Sequence, residues 1–203
     1  MTWRSIQRSH GFARRLREDR AGVTAVEFAL AAPVLLVLLM GIFDIGHMAY
    51  ISTVLRGAVQ QVARDGTLET ADTSAADAFV SNLVSGVAPD AAITSSRQSY
   101  YDFADLARPE AWNDKNDNGK CDDGESYTDE NKNGSWDADV GQNGNGGAND
   151  VVLYTVRVTY KPLFPVPYLT DRHSQRTLSA TAVKKNQPYA LQENYGSSAG
   201  VCS

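Results

Sequence analysis

The sequence predicts an α+β protein: one long N-terminal transmembrane helix that runs on into a small outer domain built on an antiparallel sheet. Three observations carry this reading. From Val23 to Phe43 the chain holds a single ionisable side chain, Glu27, in a run that is otherwise apolar on every side. Aliphatic residues then continue at three- and four-residue spacing as far as Val62. Farther on, residues 151–160 and 176–184 have the β-branched and aromatic character of strands.

The apolar run comes first. At about 1.5 Å per residue, Gly22 to Ile42 spans roughly 30 Å, the thickness of a bilayer's hydrocarbon core. Membrane lipid is therefore the first expected partner. Pro33 lacks an amide donor and is tolerated in such a helix, where it can bend it. Six arginines, Arg4, Arg8, Arg14, Arg15, Arg17 and Arg20, stand before the run against Glu18 and Asp19, a net +4. Basic flanks stay in the cytoplasm, so residues 1–22 form a basic cytoplasmic leader and the rest of the chain, net −9, lies outside. A cleaved signal peptide competes with this reading, although the run exceeds a usual signal core. The Arg14–Arg15 pair alone also fits a twin-arginine signal.

The helix does not stop at the membrane. Asp44 marks its outer end, with His47 and Tyr50 at the interface. Ile51, Val54, Leu55, Ala58, Val59 and Val62 then form one stripe, and Ser52, Arg56, Gln60 and Arg64 fall on the other side. Residues 23–65 are thus expected to be one helix with an extracytoplasmic extension, ending near Asp65-Gly66. Residues 66–203 form the outer domain. A second helix capped by Thr73 or Ser74 presents Ala76, Phe79, Val80, Leu83 and Val84, and ends at Gly86 and Pro89. A strand follows within 91–103. In 151–160 the residues Val152, Tyr154, Val156, Val158 and Tyr160 share a face. Pro162, Pro165 and Pro167 break the chain before the last strand, which is expected to pair with 151–160.

Between these strands, residues 113–150 are rich in Asp, Asn and Gly, a composition that by itself reads as a solvated linker. A repeat argues for more. Asp114, Asn116, Asn118, Gly119 and Asp122 recur fifteen residues later as Asp129, Asn131, Asn133, Gly134 and Asp137. Calcium takes six to eight oxygens, so a short loop must offer ligands on alternate residues while turning sharply. Residues 114–125 meet that need through Asp114, Asn116, Asn118, the Lys120 carbonyl, Asp122 and Glu125. In the second loop Asp129, Asn131, Asn133, the Ser135 carbonyl and Asp137 correspond, but Val140 stands at the twelfth position, with Asp139 beside it as a substitute. The insertion, 113–140, is similar to EF-hand-type loops without EF-hand helices, as in dockerin-like modules. That resemblance implies calcium as a structural cofactor, with Trp112, Tyr127 and Trp136 as apolar backing. The Gly141–Asn149 run is expected to be a flexible connector.

Cys121 and Cys202 both fall on the outer side, where a pair of cysteines often forms a disulfide; two free thiols are the alternative. No nucleophile elbow, phosphate loop, zinc spacing or dinucleotide fingerprint is present, and His10, His47 and His173 lie in separate regions. The chain is therefore not expected to be an enzyme. Its acidic balance, −5 overall, also argues against nucleic acid as a partner.

Glu27 remains. A carboxylate in lipid costs several kcal/mol unless it is paired or protonated, although a headgroup-level position would relieve it. It lies five residues after Gly22 and is followed by Phe28, behind a basic leader. This resembles the processing site of type IV-like prepilins, cut after glycine. The resemblance implies a prepilin peptidase as a possible partner, cleavage between Gly22 and Val23, and a glutamate that pairs with the new terminal amine of a neighbouring subunit. More narrowly, A-G-V-T-A-V-E-F-A-L-A-A-P-V-L-L-V-L-L-M-G-I-F-D-I-G, with Val26-Glu27-Phe28, Pro33 and Gly41, looks like the TadE-like family, minor pseudopilins of the tight-adherence (Flp) pilus system. The later V-L-R-G-A-V-Q-Q-V-A-R and the tail L-S-A-T-A-V-K-K-N-Q-P-Y are also similar. Major Flp pilins carry tyrosine after the glutamate and are little more than one helix; Phe28 and the length of this chain point to a minor component. The resemblance implies a pilin-like outer domain, the bacterial inner membrane as location, and pilus or pseudopilin subunits and secretion machinery as partners. A single-pass anchored calcium-binding adhesion module is the competing function.

Overall fold

A computed structural model of the chain describes residues 21–65, 72–165, 175–187 and 196–202. The basic leader with His10, and His173, lie outside these. The chain divides into two compact units, Met1–His47 with Leu163–Arg172, and Met48–Pro162 with His173–Ser203. The class is α+β, as expected: one long apolar helix and then a small antiparallel sheet domain.

Helix α1, Ala21–Asp65, has 45 residues and continues through Pro33. In the first unit its apolar residues are exposed, among them Val26, Phe28, Leu30, Val34, Leu36 and Ile42. This stretch is long and apolar enough to cross a membrane, and it fits a single-pass anchor. Phe43 packs a tilted ring on Phe164, with centroids 5.7 Å apart.

The second unit contains the remainder of α1, and here the stripe is covered. Ile51, Leu55, Ala58, Val59, Val62 and Ala63 are buried in one cluster with Val80 and Val84 of helix α2, Thr73–Ser85. The same cluster takes Tyr154, Val156, Val158 and Tyr160 of one strand and Ala180 and Ala182 of its neighbour. Two positions depart from expectation. Val54 is only half-buried, and Leu83 of α2 is exposed. The cap of α2 is Asp72 rather than Thr73 or Ser74. Its Oδ1 accepts from the Ser74 and Ala75 peptides at 2.9 and 3.2 Å, satisfying N–H groups that the first turn leaves orphaned.

The main sheet has four antiparallel strands in the order β3-β1-β4-β5: β1 Ala92–Tyr100, β3 Gln142–Asn143, β4 Val151–Tyr160 and β5 Arg176–Lys185. Val151 stands opposite both Tyr100 and Lys185, so β4 is paired along its whole length. Burial alternates along most of it: Val152, Tyr154, Val156, Val158 and Tyr160 are buried and Arg157 is exposed, the half-buried surface that β-branched and aromatic residues suit. Strand β3 corrects the flexible-connector expectation for 141–149, since Gln142 and Asn143 pair with Ser99 and Gln98. A second, two-stranded sheet joins β2, Ser126–Asp129, to β6, Ser198–Val201. Gly200 stands opposite Tyr127, and a Cβ there would collide with the tyrosine ring.

A polar clamp ties α2 to the sheet. Arg97 of β1 donates two hydrogen bonds to the Asp77 carboxylate, at 2.7 and 3.0 Å, and the Tyr154 hydroxyl donates to it at 2.7 Å. The guanidinium also lies 4.4 Å over the Tyr154 ring centroid. Burial works against the charge on Asp77, but its bonds from Arg97, Tyr154 and Ser95 outweigh burial and hold its carboxyl below the usual range.

Lys184 shares the inward face of β5 with Ala180 and Ala182 and is 9% exposed. Burial, and then the Arg97 charge, pull its ammonium down from 10.5 to about 8. A lowered folded value means that the unfolded chain binds the extra proton between these limits, so stability rises with pH across that window. Melts of the full-length protein in detergent should therefore show stability increasing between about pH 8 and 9.5, before tyrosines ionise. In Lys184→Met that slope should flatten.

Candidate functional site

Two features carry the chemistry expected from sequence, and they lie in different units. On α1, Gly22, Val23, Glu27 and Phe28 are all exposed and helical. Val23 and Glu27 are four residues apart, which places them on one helix face. A side chain added at Gly22 would meet nothing within 4 Å.

The loops at 114–125 and 129–140 are built alike. In each, the first aspartate takes the peptides of the fifth and sixth positions: Asn118 and Gly119 on Asp114 at 3.1 and 2.8 Å, Asn133 and Gly134 on Asp129 at 3.2 and 2.9 Å. In each, the asparagines at positions three and five turn their amide oxygens onto the peptide two residues ahead. Their NH₂ groups converge on the aspartate at position nine, from Asn116 and Asn118 onto Asp122 and from Asn131 and Asn133 onto Asp137. These bonds, Asn116 first, lower the pKa of Asp122.

The backbone repeats as well. Positions four and six are left-handed in both loops, with φ 57° and 76° at Asp117 and Gly119, and 60° and 81° at Lys132 and Gly134. No neighbour crowds either glycine, so the backbone angle is what requires Gly there. Five matching residue types thus fold into one conformation twice.

The donors are all hard oxygens, the kind calcium prefers, and each amide oxygen keeps a second lone pair after accepting one N–H. Among the described residues no group of three or more His, Cys, Asp or Glu side chains is gathered to hold a metal. The loop acids instead rest on peptide and amide N–H groups, and amide and carbonyl oxygens make up much of the donor set. Asp139 does not serve the second loop. Its Oδ2 accepts from Tyr100 at 3.0 Å and from Gln98 at 3.3 Å, and its Oδ1 accepts from the Gly141 peptide at 3.1 Å. Burial, and then the bond to Asp139, push the Tyr100 phenol up to about 12.

The supports around the loops were mostly invisible in the sequence. Arg108 donates to Glu130 at 2.6 and 2.9 Å and to Asp105 at 2.8 and 3.0 Å, pinning the second position of the second loop. Trp112 and Trp136 meet edge to face, with centroids 5.1 Å apart, and Tyr127 is buried beside a bridge to Trp112. The fully buried Glu110 lies against the second loop. No spacing rule relates it to the repeat.

Cys121, at position eight of the first loop, is joined by a disulfide to Cys202, with Cα atoms 5.9 Å apart. The Cys202 peptide also exchanges hydrogen bonds with Gly124 and Glu125. The bridge closes 81 residues, a length for which chain entropy gives about 4.5 kcal/mol. Cys121→Ser with Cys202→Ser should lower the stability of the sheet domain by roughly that amount in urea melts. Adding reductant to the double variant should change nothing further.

No curated protein and no solved structure matches the chain. One family model does: residues 22–64, which cover nearly all of α1, match the TadE-like protein family.

Proposed function

We propose that this chain is a minor pseudopilin-like membrane protein for assembly of a tight-adherence pilus, with an outer domain stabilised by calcium. The observation that carries the reading is the TadE-like match along α1, with Glu27 inside it. The match links the chain to a pilus-associated membrane family whose role is structural rather than enzymatic. The leader stays in the cytoplasm, and the domain lies on the periplasmic or outer side of the bacterial inner membrane.

The mechanism is electrostatic and steric. A peptidase cut after Gly22 leaves the amine of Val23 at the start of an apolar helix. In lipid that cation and the Glu27 carboxylate are each costly alone. Pairing the glutamate of one subunit with the amine of the next offsets both costs and fixes their axial register. The exposed aliphatic and Phe28 side chains then pack against neighbouring helices or lipid. The outer domain decorates or caps the fibre, and other pilus subunits and the secretion machinery are its partners.

Sequencing the mature N-terminus tests the pilin arm. A terminus at Val23, lost in Gly22→Leu, is the expected result; an intact Met1 favours the anchored adhesion module. Glu27→Gln should abolish crosslinking to neighbouring subunits while leaving the outer-domain melt unchanged.

For calcium, the loops supply a repeated set of oxygen donors in a repeated backbone. Calcium at roughly a hundred times its dissociation constant should stabilise the folded chain by about 2.7 kcal/mol. Asp114→Ala with Glu125→Ala, which removes the first loop's acids, should make that thermal shift smaller.

A further inference from the structure

The second loop lacks the residue that closes the first. Its twelfth position is Val140, whose peptide N–H donates to the Arg108 carbonyl at 2.9 Å. Without a carboxylate there, the loop offers five oxygen donors, below the six that calcium takes.

In the first loop, Glu125 bridges two peptides. Its oxygens accept from Lys115 at position two, at 2.8 Å, and from Asp122 at position nine, at 3.0 Å. Glu110 bridges the same two positions of the second loop. It accepts from Glu130 at position two, at 2.7 Å, and from Asp137 at position nine, at 3.1 Å. The two glutamates are 0% and 3% exposed. Glu125 comes after its loop in the chain, whereas Glu110 comes nineteen residues before Asp129.

The backbone fixes Glu110 in this place. Its N–H donates to the Asp137 carbonyl at 3.0 Å, and its own carbonyl accepts from the Trp136 indole at 3.1 Å. An independent point is charge. Glu110 is wholly buried, its carboxylate is met by neutral peptide N–H groups, and among the described residues no lysine, arginine or histidine forms an ion pair with it. Each of its oxygens accepts one N–H and keeps a further lone pair, so the carboxylate retains bidentate capacity for a cation.

We infer that Glu110 is the bidentate closing ligand of a second calcium site, serving the 129–140 loop from upstream as Glu125 serves 114–125. This rests on the calcium reading of the loops. No three of these acids stand gathered for a metal among the described residues; on binding, each loop would draw three together, Asp114, Asp122 and Glu125 in one, Asp129, Asp137 and Glu110 in the other. Affinity in such loops follows ligand charge, so the two sites should be of comparable strength.

The test is calorimetric titration of calcium chloride into the full-length, disulfide-bonded protein in detergent. The unaltered protein should bind two ions, Glu110→Gln one, Glu125→Gln one, and the double variant none. Glu110→Gln should add nothing to Asp129→Asn, and should remove the remaining ion from Asp114→Asn. Glu110→Asp, shorter by one methylene, should keep both ions with one weakened roughly tenfold or more. Melts in a chelator report the fold of each variant separately from its binding. Two ions of unchanged affinity in Glu110→Gln would overturn the assignment and leave the calcium reading standing. No binding by the unaltered protein would remove the calcium reading itself.

Discussion

The sheet domain depends on one constraint: the aliphatic stripe at the end of α1 must be covered. Ile51, Leu55, Val59 and Val62 belong to the same helix as an exposed apolar stretch, so the chain cannot dispose of them by changing element. The antiparallel sheet and α2 cover them. Strand β4 supplies the large side chains and β5 the small ones, and the Asp77–Arg97–Tyr154 clamp holds α2 in place. Each of these choices follows from the stripe. A sheet needs one apolar face, α2 needs Val80 and Val84 turned inward, and the clamp lets a half-buried arginine sit beside the core without an unpaired charge.

The loop region is organised by a different currency. Between residues 110 and 139 there are ten acidic side chains and three lysines, with few aliphatics to bury. Order comes from carboxylates gripping peptide N–H groups, from the Trp112–Trp136 contact, and from the disulfide with its short β2–β6 ladder. Hydrogen bonds to charged acceptors are stronger than neutral ones, which suits a segment that cannot rely on the hydrophobic effect.

What the sequence made legible was whatever repeats or alternates. The long helix, β4, β5 and the paired loops all carry a period, of about 3.6, two or fifteen residues. The misses lack one. Ser126–Asp129 and Ser198–Val201 are short polar strands whose partners lie some seventy residues apart, and Gly200 is explained only by the tyrosine across from it. Asp72 outcompetes Thr73 and Ser74 as a cap because its carboxylate reaches two peptides at once. Asp139 fits the second loop by position but faces Tyr100, since the chain has already turned into the sheet edge. Lys184 reads as one of two surface lysines until β5 is placed and its alternation fixes which lysine points inward.

The acid count also explains why the two parts of the domain need one another. Ten carboxylates against three lysines leave that segment at −7, more than the net charge of the whole chain. Crowded like charges repel, and peptide N–H groups offset that repulsion without neutralising it. Two bound divalent cations would bring the segment to −3. The remaining excess is contained by Arg108, which spans Asp105 and Glu130, and by covalent closure at Cys121–Cys202. On the proposed reading, the hydrophobic unit gives the loops a fixed edge to grow from, and the ions and the disulfide keep the loops from pulling that edge apart.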